Sequence, residues 1–123
     1  MVVKKNKDHV VVDTQTCGQI REVLRAGDYD KFDFALAINI KPTVGHYHNT
    51  FEEIYIVMDG VLKIRFFEPD SSKTWEDEFE ANELVVIKKG VHHRIVQTSI
   101  ENRLGVISVP RFDIRDETLS DRV

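Results

Sequence analysis

The chain is short of the residues that would place it outside the ordinary globular class. It has one cysteine in 123 residues, so no internal disulfide is possible and the core must hold the fold. That usage suits a reducing compartment, and the expected location is the cytoplasm. Six glycines and three prolines are too few for a collagen-like or low-complexity chain. No apolar run approaches the roughly 20 residues of a membrane-spanning helix, so no membrane partner is expected. The start, MVVKKNKDHVVVD, places lysines before Val10, Val11 and Val12, an apolar stretch far too short for the core of a signal peptide. Basic surplus is missing too: the net charge is -4 and the isoelectric point about 5.7, so nucleic acid is not an expected partner. No long amphipathic helical pattern is visible, and no segment reads as an attached DNA-binding domain, which disfavours the sensor of a transcription factor.

What is present is alternation. Phe34, Leu36, Ile38 and Ile40 alternate with Ala35, Ala37 and Asn39, the period of a strand. Further strands are expected over Ile54 to Met58, Val61 to Phe67, Leu84 to Ile87, His93 to Gln97 and Leu104 to Val109. Trp75, Asp77 and Phe79 alternate with glutamates, and Gln19 to Ala26 also reads as strand. Asp59-Gly60 between two apolar runs predicts a tight hairpin turn. Ala81-Asn82-Glu83 predicts another turn, since asparagine tolerates the left-handed region. Many short strands with regular turns predict an all-β sandwich or barrel in a single domain.

Five histidines stand out: His9, His46, His48, His92 and His93. In a strand, residues i and i+2 project from the same face, so His46 and His48 can aim two imidazoles at one point. Glu52 or Glu53 can add a carboxylate after one bend at Asn49-Thr50. A fourth donor must come from far along the chain, and His92-His93 is the remaining pair.

With these residues the sequence resembles the cupin superfamily. The first cupin motif, H-x-H followed by Glu and then Gly, matches His46, His48, Glu53 and Gly60. The spacing to Gly60 selects Glu53 over Glu52. The second motif matches KKGVHHRIV, where counting from Gly90 selects His93, and Gln97 stands at the usual asparagine position. Lys88 replaces the motif proline, and Ile40 and Asn82 replace the leading glycines. These departures touch turns and remove no ligand.

The resemblance implies a double-stranded β-helix, the jelly-roll barrel, over residues 20–113. An N-terminal arm or strand over 1–19 and a C-terminal tail over 114–123 flank it. It also implies one divalent transition metal ion held by His46, His48, Glu53 and His93. That nitrogen and oxygen donor set suits Fe, Mn, Ni, Zn, Co or Cu. The implied function is that of an enzyme on a small organic substrate, a dioxygenase or an isomerase or lyase. The alternative is a non-catalytic barrel that binds a sugar or a carboxylate.

By parity, Tyr55 and Val57 point inward with Glu53, and Ile95 and Gln97 with His93. Tyr55 and Gln97 are therefore the candidate catalytic or substrate-contacting residues. Tyr47 should face away from the metal. Lys88, Lys89 and Arg94 form a basic cluster, either a solvated rim or an attractor of anionic substrates. In EIYIVM both faces are apolar, so the outer one needs a cover, and a homodimer is expected.

Overall fold

A computed structural model describes residues 2–5 and 7–123. Among these residues the elements are strands, apart from one turn of 3-10 helix. The strands are β1 (Val10–Thr14), β2 (Gly18–Leu24), β3 (Asp33–Ile38), β4 (His46–Tyr47), β5 (Glu52–Asp59) and β6 (Val61–Glu68). They continue as β7 (Lys73–Glu80), β8 (Leu84–Ile87), β9 (His92–Thr98), β10 (Arg103–Val109) and β11 (Thr118–Leu119). The 3-10 turn, Ile114–Asp116, separates β10 from β11. Among the described residues no helix is long and apolar enough to cross a membrane.

Two antiparallel sheets form, one ordered β1-β2-β3-β10-β5-β8 and the other β11-β4-β9-β6-β7. This is the all-β, jelly-roll arrangement the sequence predicts. Their inner faces share one core, with Tyr55, Val57 and Leu104 from the first sheet and Leu62, Ile64, Phe66 and Ile95 from the second. Burial of these apolar side chains is the main favourable term in folding.

β3 uses its alternation in an unexpected sense. Its small residues face inward: Ala37 is fully buried, and the register places Ala35 and Ala37 beside Val106 and Leu104. Phe34, opposite Ile107, belongs to the outer face with Ile54 and Ile56. Small side chains on the inner face leave interior space, which becomes important below.

The Asp59-Gly60 turn also differs from expectation. It is tight, with Gly60 at φ +84°, but it does not close a hairpin. β5 belongs to the first sheet and β6 to the second, so the turn carries the chain between sheets. A Cβ at Gly60 would lie 2.5 Å from the Glu101 carbonyl oxygen and 2.9 Å from Asn102 Cα. Asn82, at φ +75°, marks the equivalent crossing from β7 to β8, as expected for an asparagine in the left-handed region.

Gly60 and Gly90 separate backbone strain from crowding. Gly90 has φ +82° but nothing within 4 Å of its would-be Cβ. Gly90→Ala should cost about 1–2 kcal/mol, the left-handed penalty alone. Gly60→Ala should cost clearly more, because backbone must also move. Equilibrium urea unfolding of the two variants checks the order.

Candidate metal centre

β4 and β9 are paired so that His46 stands directly opposite His93, and the two rings lie 4.2 Å apart between centroids. His48 follows β4, one strand period on. The chain then bends at Asn49-Thr50 and returns as β5, whose second residue is Glu53 on the opposite sheet. His46, His48, Glu53 and His93 are all buried, and one donor atom from each lies within 4.8 Å of the others. This group could hold a metal ion. Glu53, not Glu52, is the carboxylate in it.

The hydrogen bonds fix how the imidazoles present themselves. His48 Nδ1 lies 3.0 Å from the Asp116 carbonyl oxygen, and His93 Nδ1 lies 3.1 Å from that of Val91. A carbonyl only accepts, so both Nδ1 atoms carry the proton and donate it. Their Nε2 atoms point instead at Glu53 Oε1, at 2.8 and 3.1 Å. His46 Nε2 is 3.8 Å from the same oxygen, and neither of its ring nitrogens has a hydrogen-bond partner among the described residues. Buried nitrogens thus converge on a carboxylate oxygen, an arrangement that calls for a proton or a metal cation between them.

The electrostatics reflect this crowding. Burial alone would raise the Glu53 pKa, but the histidines around it hold it well below the usual carboxylate range. Burial lowers the His46 pKa. His48 is buried too, yet Glu53 beside it raises its pKa overall.

The terminal segments complete the centre. In the 3-10 turn, the Asp116 carboxylate accepts from the backbone N–H groups of Asn49 and Thr50 and from the Thr50 hydroxyl. Its backbone carbonyl meanwhile holds His48. One residue therefore fixes both the bend between the donors and the tautomer of one of them, as outer partners of metal-binding histidines commonly do. Glu117 follows, with its carboxylate 8% exposed and 3.7 Å from His46 Nε2. It accepts a 2.6 Å hydrogen bond from Thr16, a buried residue between β1 and β2. Gly45 makes room for this docking: a Cβ there would meet Val123 at 2.5 Å and the Ser120 carbonyl oxygen at 2.8 Å.

Tyr55 faces inward, 1% exposed, with its ring 6.0 Å from that of His93. Its hydroxyl meets the Cys17 thiol, and burial, then the Glu53 charge, pushes both groups' pKa values up. Gln97 does not face inward. The β6–β9 register shifts between Lys63 and Ile64, so Val96 is an extra residue and Gln97 pairs with Lys63. The bulge reverses the parity, Thr98 takes the place opposite the buried Leu62, and Gln97 is exposed. Gln97 therefore cannot touch a substrate in the interior. Tyr47 stacks on His92 at 4.1 Å and 7°, away from the donors, as parity requires. Lys88 and Lys89 are exposed, and Arg94 donates to the carbonyl oxygens of Thr43 and Val123, so the basic cluster does not line the interior.

A partly open cavity of about 230 Å³ lies beside the centre, lined by Glu53, Asp33, Ser108, Thr16 and Cys17 among others.

Comparison with solved structures places this architecture. Streptomyces PAC13 with uridine superposes with a TM-score of 0.73 at 10% identity, over 98% of this chain and 92% of that one. Bacillus subtilis oxalate decarboxylase gives 0.78 at 13% identity over 94% of this chain, which spans only 31% of the decarboxylase chain. A protein from Planctomyces limnophilus gives 0.69 at 22% identity over 89% of both chains. The chain has the cupin fold. No family model matches its sequence, and no curated protein matches it in sequence. The neighbours share this fold at identities too low to carry more.

Thr16, Cys17, Asp116 and Glu117 gave no signal in the sequence, because they lie outside the motifs and reach the centre only through tertiary packing. Removal of a donor should separate metal from fold. His48→Ala or His93→Ala protein should unfold cooperatively yet bind no metal by elemental analysis, while Glu117→Gln should retain about one ion per chain.

Proposed function

We propose that this cupin is a metal-dependent enzyme acting on a small organic substrate, as a dioxygenase or as an isomerase or lyase. The observation that carries this is the convergence of three buried imidazole nitrogens on Glu53, which also lines a cavity of about 230 Å³. A structural site would not need a cavity beside it.

A divalent Fe, Mn, Ni, Zn, Co or Cu ion held there supplies Lewis acidity, or a bound water of lowered pKa. The chain's own residues do the rest. Asp116 and Val91 hold the rings of His48 and His93 in the donating tautomer. Phe51, at 4.1 Å from the His48 ring, and Phe112 keep water from that side. Tyr55 keeps its proton at neutral pH and serves as a hydrogen-bond donor rather than a base. Glu117 presents a carboxylate that accepts only from Thr16 among the described residues.

The neighbours lend support to the lyase half of the reading: PAC13 is described as a nucleoside dehydratase, and the other enzyme is a decarboxylase. The test is metal content followed by turnover. Protein purified without a metal-affinity column should carry about one transition metal ion per chain. The iron form should consume oxygen with enediols, catechols or 1,3-diketones if it is a dioxygenase. Without oxygen uptake, the manganese or zinc form should isomerise or eliminate. Failure to bind any of the six metals after reconstitution would overturn the reading.

The partners belong to the same proposal: a small-molecule substrate and a second copy of this chain. β1 and β2 extend the edge of the first sheet rather than covering its outer face. Leu84 and Val86 on that face are 53% and 49% exposed beside Ile56 and Ile54. An isologous dimer would cover them. Light scattering should give the mass of two chains, and Leu84→Glu should reduce it to one.

A further inference from the structure

The hydrogen bonds of the cavity wall decide what the cavity can hold. On the inner face of the first sheet the register lines up three rungs. Glu53, Ser108 and Asp33 form the first, Tyr55, Val106, Ala35 and Glu22 the second, and Val57, Leu104, Ala37 and Ile20 the third. The cavity takes all of the first rung, Val106, Ala35 and Glu22 from the second, and Ile20 from the third. β5 and β2 are three strand spacings apart, roughly 14 Å at about 4.8 Å each. The wall therefore runs from the metal centre to β2, and the small side chain of Ala35 opens its middle.

The polar groups of this wall are already engaged. Thr14 Oγ1 donates to the Gly18 carbonyl oxygen at 2.7 Å and accepts from the Cys17 N–H at 3.0 Å. Thr16 donates to Glu117, and the Cys17 thiol meets the Tyr55 hydroxyl. Glu22 and Arg25 hold each other in a 2.8 Å ion pair, partly in solvent. Glu53 Oε1 faces the histidines. Asp33 Oδ2 accepts from the Phe112 N–H at 2.8 Å, and its Oδ1 is buried. The three wall carboxylates are thus paired or sealed, and they offer a ligand neither a free charge nor a free acceptor. Ser108 is the one hydroxyl of the lining with no hydrogen bond to another described residue. It stands beside Glu53, at the metal end. Ile20, Leu24, Ala35, Val106 and Phe112 make the rest of the wall apolar.

We propose that the cavity takes the apolar body of the substrate, a short aliphatic chain or a single ring, whose one polar head lies at Ser108, Glu53 and the metal centre. The volume of about 230 Å³ lies below the roughly 300–1,000 Å³ of drug-sized pockets, which sets the size of the body. Apolar surface gains by leaving water here. A polyhydroxylated body would lose water from each hydroxyl and find no partner on a wall whose polar groups are taken, a cost that mounts with every hydroxyl. This assigns a substrate class to the site proposed above and rests on that reading for its reacting end.

The test uses three hydroxamic acids that share one metal-binding head, titrated by calorimetry into the zinc-loaded full chain. Acetohydroxamic acid has almost no body. Hexanohydroxamic acid has an apolar one, and gluconohydroxamic acid has one of the same length with a hydroxyl on every carbon. The hexano compound should bind at least about tenfold more tightly than either of the others. Ala35→Leu fills the cavity and should bring its affinity down to that of acetohydroxamic acid, whose own binding stays unchanged. The unmutated chain gives a second readout by methyl NMR: hexanohydroxamic acid should shift the methyl signals of Ile20, Leu24 and Val106, and acetohydroxamic acid should not. Equal or tighter binding of the glucono compound, no gain from the aceto to the hexano compound, or shifts that avoid those three residues would each overturn the proposal. Toluene, which has no head, is run on the metal-free protein and should shift the same methyl signals. If it does so in a chain that takes up no metal, the enzyme reading falls and the cavity assignment stands. No shift with toluene would sink the cavity assignment whatever the metal content.

Discussion

One oxygen atom organises the interior of this protein. Glu53 Oε1 comes from the first sheet, and the three imidazole nitrogens that face it come from the second sheet and the strand end beyond it. A carboxylate with 2% exposure survives burial only because these groups surround it. Buried nitrogens turned toward it are stable only with a cation or a proton between. The two sheets are therefore joined by apolar packing at one end of the sandwich and by a charge arrangement at the other. The polar end needs its positions held closely, because distances between donors matter there far more than they do among leucines and isoleucines.

That demand explains why so much of the chain outside the two histidine strands bears on the centre. Asp116 works through both its side chain and its backbone, fixing a bend and a ring at once. Thr16 and Glu117, 101 residues apart, meet beside His46. Neither the first strands nor the last short pairing is decoration on a self-sufficient core. The arm lines the cavity beside the centre, and the tail packs against the histidines themselves.

Most of the fold was readable because strands of this kind announce themselves by period. The donors were readable because H-x-H puts two rings on one face, and because the motif spacing picks Glu53 and His93 from their neighbours. Three features were not readable, each for a physical reason. Gln97 broke the parity rule because a bulge adds one residue on one strand only, and nothing local to the sequence marks Val96 as the extra one. Asp59-Gly60 has the composition of a hairpin turn, but composition reports the backbone conformation and not which sheet the next strand joins. Glu117 precedes a strand of two residues, too short for any period. Asp33 lies between these cases: it shares the inward parity of Ala35 and Ala37, and a charge on that face is itself a signal.

The bulge in β9 separates chemistry from counting. Upstream of Val96 the odd positions look inward, and downstream the even ones do. Loss of that one residue would restore plain alternation and leave Gln97 outside and Thr98 inside, where they already stand. The bulge thus absorbs an extra residue locally, and the lining beyond it is set by the partners that β6 offers. The strand can change in length by one residue at this point with no change in the polarity that the interior presents.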